Sequence, residues 1–237
     1  MTTGSHLGTV LSTVVPLTAA YLIGSVPVGV VVVRLATGKN ILQEHSGRTG
    51  GTNVMRTAGF WAGLVTAIGD VLKGAAAVLL AGRLAPQADW VPAAAGVMAV
   101  LGHNHSIFLI DRSEGRLRLR GGAGGATAVG CGIALSPSLA WVVVVVPFLL
   151  FGIGYASVTT LTVGALMTVT LVIQANAGLV PWSYVAFGLG AEGLMLLALR
   201  PNLDRLRRGE ERVVGLRARA QRRASPADST NLPGPVA

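Results

Sequence analysis

Residues 10–33 read VLSTVVPLTAAYLIGSVPVGVVVV, twenty-four positions without a charged side chain. A helix needs about 20 predominantly apolar residues to cross the hydrocarbon core of a bilayer. This stretch therefore places the protein in a membrane. Pro27, inside Gly24-Ser25-Val26-Pro27-Val28-Gly29, removes a helical hydrogen bond and predicts a kink or a widened turn at that point. The whole chain agrees with the reading. Of 237 residues, 51% are hydrophobic and only 12% charged, with a mean hydropathy of +0.62, against roughly 25% charged residues in soluble domains. The 32 glycines fit the same environment, because small residues let membrane helices approach closely.

Outward from this segment, the next stretch is polar: Glu44-His45-Ser46-Gly47-Arg48-Thr49-Gly50-Gly51-Thr52-Asn53-Val54-Met55-Arg56. Glycines and short hydrogen-bonding side chains let backbone N–H groups crowd around an anion, and Arg48 and Arg56 add charge and forked donors. Such residues between two apolar segments have no packing rationale. They predict a phosphate site.

Residues 58–80 form a second predicted span, interrupted by Asp70 and Lys73, whose spacing puts them on one helical face. Ionisable residues at membrane depth face the bundle interior or a cavity, so the pair is a structural ion pair or part of a site. A third span begins at 91–101 and meets Gly102-His103-Asn104-His105. Two histidines at i and i+2 do not share a helical face, and no metal-ligand spacing accompanies them. A basic alternating loop then carries Arg112, Arg116, Arg118 and Arg120 into a second glycine-rich element, Gly121-Gly122-Ala123-Gly124-Gly125-Ala126-Thr127. Apolar runs at 126–135 and 139–151, separated by Ser136-Pro137-Ser138, predict a helical hairpin. Spans at 161–173 and 179–199 complete the expectation: an all-α integral membrane protein, a bundle of about seven transmembrane helices. The first apolar segment has no signal-peptide flanks and is read as retained.

The net charge of +9 follows the topology. Basic residues concentrate in the first loop (Lys39, Arg48, Arg56), in the third loop, and among nine arginines between positions 200 and 223. Cytoplasmic connections carry such an excess, so the N-terminus is expected outside and the C-terminus inside. Nucleic acid is not expected as a partner. Cys131 is the single cysteine and forms no internal disulfide. Residues 1–223 read as one transmembrane domain and 224–237 as a disordered tail rich in small and polar residues.

In order along the chain, these motifs resemble those of the membrane-embedded acyl-phosphate:glycerol-3-phosphate acyltransferases of bacteria. The stretch His45 through Arg56 is similar to the family's first motif. Gly69-Asp70-Val71-Leu72-Lys73-Gly74 is similar to its Asp-Val-Leu-Lys-Gly. Gly102-His103 with Gly121-Gly122-Ala123-Gly124 is similar to the second motif, and Asn202-Leu203-Asp204-Arg205-Leu206 with Gly209-Glu210-Glu211 to the third.

The resemblance implies transfer of a fatty acyl group from acyl phosphate to the 1-hydroxyl of glycerol 3-phosphate, giving lysophosphatidic acid, with no metal or other cofactor, at the cytoplasmic face of the bacterial plasma membrane. It implies Ser46 and Asn202 as catalytic residues. It implies substrate binding by Gly47, Arg48, Thr52, Asn53, Arg56, Lys73 and His103, and by the backbone N–H groups of Gly121, Gly122 and Gly124. The chain departs from the family pattern at Leu42, at Arg48 in place of an asparagine, at Ala123 in place of a lysine and at Leu199 in place of a histidine. One of the inserted arginines is a candidate for the missing lysine charge. The departures leave a second reading, a non-catalytic homologue that binds a lipid or a phosphate metabolite. A third, a small transporter, rests on Asp70, Lys73 and Glu192 and finds no internal repeat to support it.

Overall fold

The computed structural model describes residues 3–112, 115 and 117–215. The expected tail, the domain boundary at 223 and Arg116 lie outside them. Among the described residues nine α-helices follow one another: α1 Thr3–Ser25, α2 Val28–Thr37, α3 Gly51–Ala58, α4 Phe60–Leu84, α5 Trp90–Asn104, α6 Gly125–Leu135, α7 Val142–Ile153, α8 Ala156–Asn176 and α9 Trp182–Arg207. Between α5 and α6 a two-stranded antiparallel ribbon pairs β1 (Ile110–Asp111) with β2 (Arg118–Leu119), Ile110 opposite Leu119 and Asp111 opposite Arg118. The helical expectation holds for most of the described chain, and this ribbon is its one short exception among the described residues. Alternating residues with a glycine turn at Gly115, φ 67°, suit a hairpin better than a helix.

Four stretches are long and apolar enough to cross a membrane: Val10–Thr37, Phe60–Leu84, Ala156–Asn176 and Trp182–Arg207. α5, α6 and α7 have 15, 11 and 12 residues. At 1.5 Å per residue even the longest of them covers only about 22 Å of a core about 30 Å thick. α6 is buried along most of its length, from Thr127 to Gly132 and again at Leu135. It is an interior helix packed against α4, α5 and α8. Its short span is protected by protein on its flanks.

Glycine sets the seams. A Cβ on Gly24 would strike the Ala99 carbonyl and one on Gly102 the Tyr21 carbonyl, across α1 and α5. A Cβ on Gly74 or Gly130 would strike Thr127 or Val71 across α4 and α6. Backbones that close exclude any larger side chain. Around these seams the core holds Ala77, Val100, Cys131, Leu171, Phe187 and Met195, all nearly inaccessible. A smaller cluster of Val33, Ile41 and Val54 sits under the first polar connection.

Two expected boundaries move. α8 starts at Ala156, ahead of the span expected at 161–173, because the break is made earlier by Gly154 at φ 82°. α9 continues through Pro201 to Arg207, since a proline removes one hydrogen bond without forcing a helix to end.

Candidate active site

At Pro27 the first apolar segment breaks completely: α1 ends at Ser25 and α2 starts at Val28. A helix end leaves carbonyls without intrahelical donors. Two of them are capped from other elements. Ser106 Oγ donates to the Ser25 carbonyl at 2.6 Å, and Lys73 Nζ to the Val26 carbonyl at 2.8 Å. Lys73 Nζ also lies 2.8 Å from Asp70 Oδ1, which is 3.5 Å from His103 Nδ1. All three side chains are buried. The Asp70–Lys73 pair, open between structure and site on sequence alone, joins α1, α4 and α5 at the helix break.

The first polar connection is shaped from within. Gly38 (φ 71°) closes α2, and Asn40 Oδ1 accepts from the Leu42 N–H at 3.1 Å to start a single 3-10 turn. Buried Asn53, at the start of α3, then uses its whole amide on this loop. Its Nδ2 donates to the Arg48 carbonyl at 2.8 Å and the Glu44 carbonyl at 3.2 Å, and its Oδ1 accepts from the Ser46 N–H at 3.4 Å. Asn53 thus presents Ser46, Gly47 and Arg48. Thr52 is half-buried in the same turn.

The second glycine-rich element docks on the first through the Thr49 N–H, which donates to the Gly121 carbonyl at 3.3 Å. The ribbon leads into it: the Ser106 N–H donates to the Arg120 carbonyl and the Arg120 N–H to the Leu109 carbonyl. Gly121 and Gly122 pass so close to the end of α5 that a Cβ on either would collide, with the His103 and Asn104 carbonyls or with the His103 ring. The Gly122 N–H donates to the His103 carbonyl at 3.0 Å. Gly124 adopts φ 90°, beside Asn104 Oδ1. The absence of side chains here lets His103 reach Asp70.

Where the two elements meet lies a cleft of about 230 Å³. It is lined by Ser46, Gly47 and Arg48 from the first element and by Arg120, Gly121 and Gly122 from the second, with Asn104, His105 and Ala198 completing it. The Arg48 guanidinium crosses to α9 and donates to the Ala198 carbonyl. Burial lowers its pKa from the ordinary value, Arg205 lowers it further and Glu211 opposes both. Beside the cleft, Asn202 Nδ2 donates to Glu211 Oε1 at 2.8 Å, and Arg56 donates to the Arg212 carbonyl at 3.1 Å. Burial lowers the Arg56 pKa as well, with Arg212 adding to the shift and Glu211 countering it. Asn202 Oδ1 and Asn104 Oδ1 are buried without a hydrogen-bond donor.

Of the residues expected in the site, Ser46, Gly47, Arg48, Gly121 and Gly122 line the cleft itself. Asn53, Lys73, His103 and Gly124 stand behind it as its frame, and Arg56 and Asn202 gather around Glu211 next to it. Sequence reading did not single out Asn104, His105 or Ala198 for the cleft. Asn104 and His105 sit in the Gly102-His103-Asn104-His105 run, which periodicity tests only for a shared helical face. Ala198 contributes a carbonyl, and no residue type signals that.

A family model described as glycerol-3-phosphate acyltransferase matches residues 14–209. The chain is 39% identical over 203 residues to a glycerol-3-phosphate acyltransferase of Thermus thermophilus, covering 85% of this chain and 95% of the relative. It is 36% identical over 203 residues to that of Geotalea daltonii, covering 85% and 97%, and 37% identical over 193 residues to that of Myxococcus xanthus, covering 81% and 94%. Among solved structures it is similar to PlsY, an integral membrane glycerol 3-phosphate acyltransferase. The glycerol 3-phosphate form matches with a TM-score of 0.74 and 29% identity, over 88% of this chain and 98% of that one. The lysophosphatidic acid form matches with a TM-score of 0.70 and 30% identity, over 86% and 96%. A cleft built from two glycine-rich elements and two arginines, on a chain matched along most of its length, has one reading: the chain belongs to the glycerol-3-phosphate acyltransferase family.

Proposed function

We propose that this protein transfers a fatty acyl group from acyl phosphate to the 1-hydroxyl of glycerol 3-phosphate, forming lysophosphatidic acid and releasing inorganic phosphate. The observation that carries the reading is the cleft that Ser46, Gly47 and Arg48 line together with Gly121 and Gly122. Both substrates bear phosphate, and the site offers guanidinium charge and a serine hydroxyl in a partly desolvated setting, where charge-assisted hydrogen bonds are strong. The acyl phosphate brings its own leaving group, so positioning and neutralisation of charge do most of the work.

The bond formed joins the 1-oxygen of glycerol 3-phosphate to the acyl carbon. The bond broken joins that carbon to the phosphate oxygen, and the hydroxyl proton leaves with the departing phosphate. Ser46 binds at the reacting phosphate. Asn202 lies four residues after Ala198, on the same face of α9. With its Nδ2 held by Glu211, its free Oδ1 is an acceptor for the attacking hydroxyl. Arg56, Thr52 and the Gly124 turn complete substrate binding, with Asn53, Lys73 and His103 acting through the frame they hold.

The bundle crosses the membrane about seven times, with α1 and α2 together as the first crossing and α4 to α9 as the others. The N-terminus is outside, and the cleft and C-terminus are on the cytoplasmic side of the bacterial plasma membrane, following the Lys/Arg bias. One domain spans residues 1–223. The test is turnover by purified protein in lipid, given palmitoyl phosphate and radiolabelled glycerol 3-phosphate. Lysophosphatidic acid that disappears with Arg56→Ala and with Asn202→Ala is the expected result. No product from the unaltered protein overturns the proposal.

A further inference from the structure

Resting on the acyltransferase reading above, we propose that Arg48 is a positioning residue: its guanidinium bolts the first polar connection to α9 in the turn disturbed by Pro201, and so fixes where Asn202 meets the attacking hydroxyl. Pro201 has no N–H, so α9 loses the hydrogen bond to the Leu197 carbonyl in the turn that carries Asn202. In that same turn the Arg48 guanidinium, 150 positions away in sequence, donates to the Ala198 carbonyl. Ala198 and Asn202 lie one helical turn apart on one face. The donor from the loop therefore acts on the weakened turn itself.

The bolt is fixed at its other end. The Arg48 carbonyl accepts from Asn53 Nδ2 at 2.8 Å, and the N–H of the next residue, Thr49, donates to the Gly121 carbonyl at 3.3 Å. A side chain that leaves so constrained a backbone sets the distance from the loop to α9. On the far side, Glu211 Oε1 accepts from Asn202 Nδ2 at 2.8 Å, and Glu211 and Arg205 are the charged groups that act on Arg48. Asn202 is thus held twice, its amide by Glu211 and its helical turn by Arg48, with Oδ1 buried and left without a protein donor. Position 199 fits the same account. Arg48 and Leu199 are two of the departures from the family pattern, and Arg48 reaches the carbonyl immediately before Leu199. Leu199 is buried and apolar, so the donor that ties loop to helix comes from the loop.

The test compares unaltered full-length protein in lipid with Arg48→Met, which has no donor, and Arg48→Lys, which keeps one. The substrates are palmitoyl phosphate and glycerol 3-phosphate, with inorganic phosphate as inhibitor. Arg48→Met is expected to lower kcat about tenfold or more while both KM values and the phosphate inhibition constant stay within about twofold, because a misplaced reacting group costs rate and not phosphate affinity. Arg48→Lys is expected to recover most of the rate. Calorimetric titration of glycerol 3-phosphate counts the binding-competent molecules in each variant and is expected to find the same number of sites. A larger rise in either KM or in the phosphate inhibition constant makes Arg48 a phosphate ligand and overturns the proposal. Unchanged kinetics, or a loss of kcat that tracks lost binding sites, also overturns it. Should Arg48→Met fail to fold, Arg48→Gln, whose amide is too short to reach Ala198, is compared with Arg48→Lys; equal kcat in the two overturns the inference. Hydrogen exchange reads the same contact without turnover. Amides of residues 198–205 are expected to exchange faster in Arg48→Met, or in Arg48→Gln, than in unaltered protein, with the other helices unchanged. Equal exchange there, or faster exchange throughout, overturns the inference. If the unaltered protein makes no product, the acyltransferase reading fails, and hydrogen exchange still decides whether Arg48 holds α9.

Discussion

Lys73 Nζ lies 2.8 Å from the backbone carbonyl of Val26, forty-seven positions earlier in the chain, and donates to it at the break between α1 and α2. The same ammonium lies 2.8 Å from Asp70 Oδ1. One cation therefore caps a helix end and neutralises a buried carboxylate. Removing one partner of a buried pair costs about 3–5 kcal/mol, because the other charge is left in a medium that cannot solvate it. Lys73→Met is expected to lower the unfolding temperature sharply in detergent. Asp70→Asn with Lys73→Met removes both charges and is expected to recover part of the loss. Equal stability of Lys73→Met and the unaltered protein would sink this account.

Gly122 is fixed by the His103 ring and Gly193 by nothing: an added Cβ at 122 collides with His103, while one at 193 meets no atom within 4 Å. Gly122→Ala is expected to abolish turnover by moving His103 from Asp70. Gly193→Ala in α9 is expected to be neutral or to stabilise by about 0.5–1 kcal/mol, the helix preference of alanine over glycine. Activity and thermal unfolding of the two variants, side by side, check the contrast.

Asn53 holds the loop that presents Ser46 and Arg48. Asn53→Asp keeps an acceptor for the Ser46 N–H and loses both donations, to the Arg48 and Glu44 carbonyls. A buried carbonyl stripped of its donor costs about 1–3 kcal/mol. Asn53→Ala and Asn53→Asp are both expected to expose the loop to trypsin at Lys39 and Arg48 and to reduce turnover. Unaltered cleavage kinetics in both would show that the loop is held by something else.

Lys39 and Gln87 are exposed in connections at opposite ends of the predicted crossings, and Cys131 is buried and out of reach of a labelling reagent. In spheroplasts, a membrane-impermeant maleimide is expected to label Gln87→Cys at once and Lys39→Cys only after the membrane is broken. The reverse pattern would invert the orientation inferred from the arginines.

Membrane residence, the two glycine-rich elements and the order of the motifs are all legible in the sequence, because hydropathy and residue type act locally and read directly along the chain. A kink or widened turn at Pro27 is legible for the same reason, although the complete break between Ser25 and Val28 is not. What individual side chains do in the folded chain is not. Lys73 capping Val26, Asn53 holding Ser46 and Arg48, and Arg120 reaching Leu42 and Gly47 are contacts between positions up to 78 apart. In the sequence Arg120 is one of several alternating arginines; pairing of Ile110 with Leu119 and docking of Gly121 under Thr49 direct it inward. The number of interior helices was equally a tertiary matter. α6 is too short to satisfy a bilayer alone, and its place is set by the close approach of Gly74 and Gly130 across the seam with α4. Composition determined the solvent of this protein; packing decided which of its polar groups hold the frame and which face the cleft.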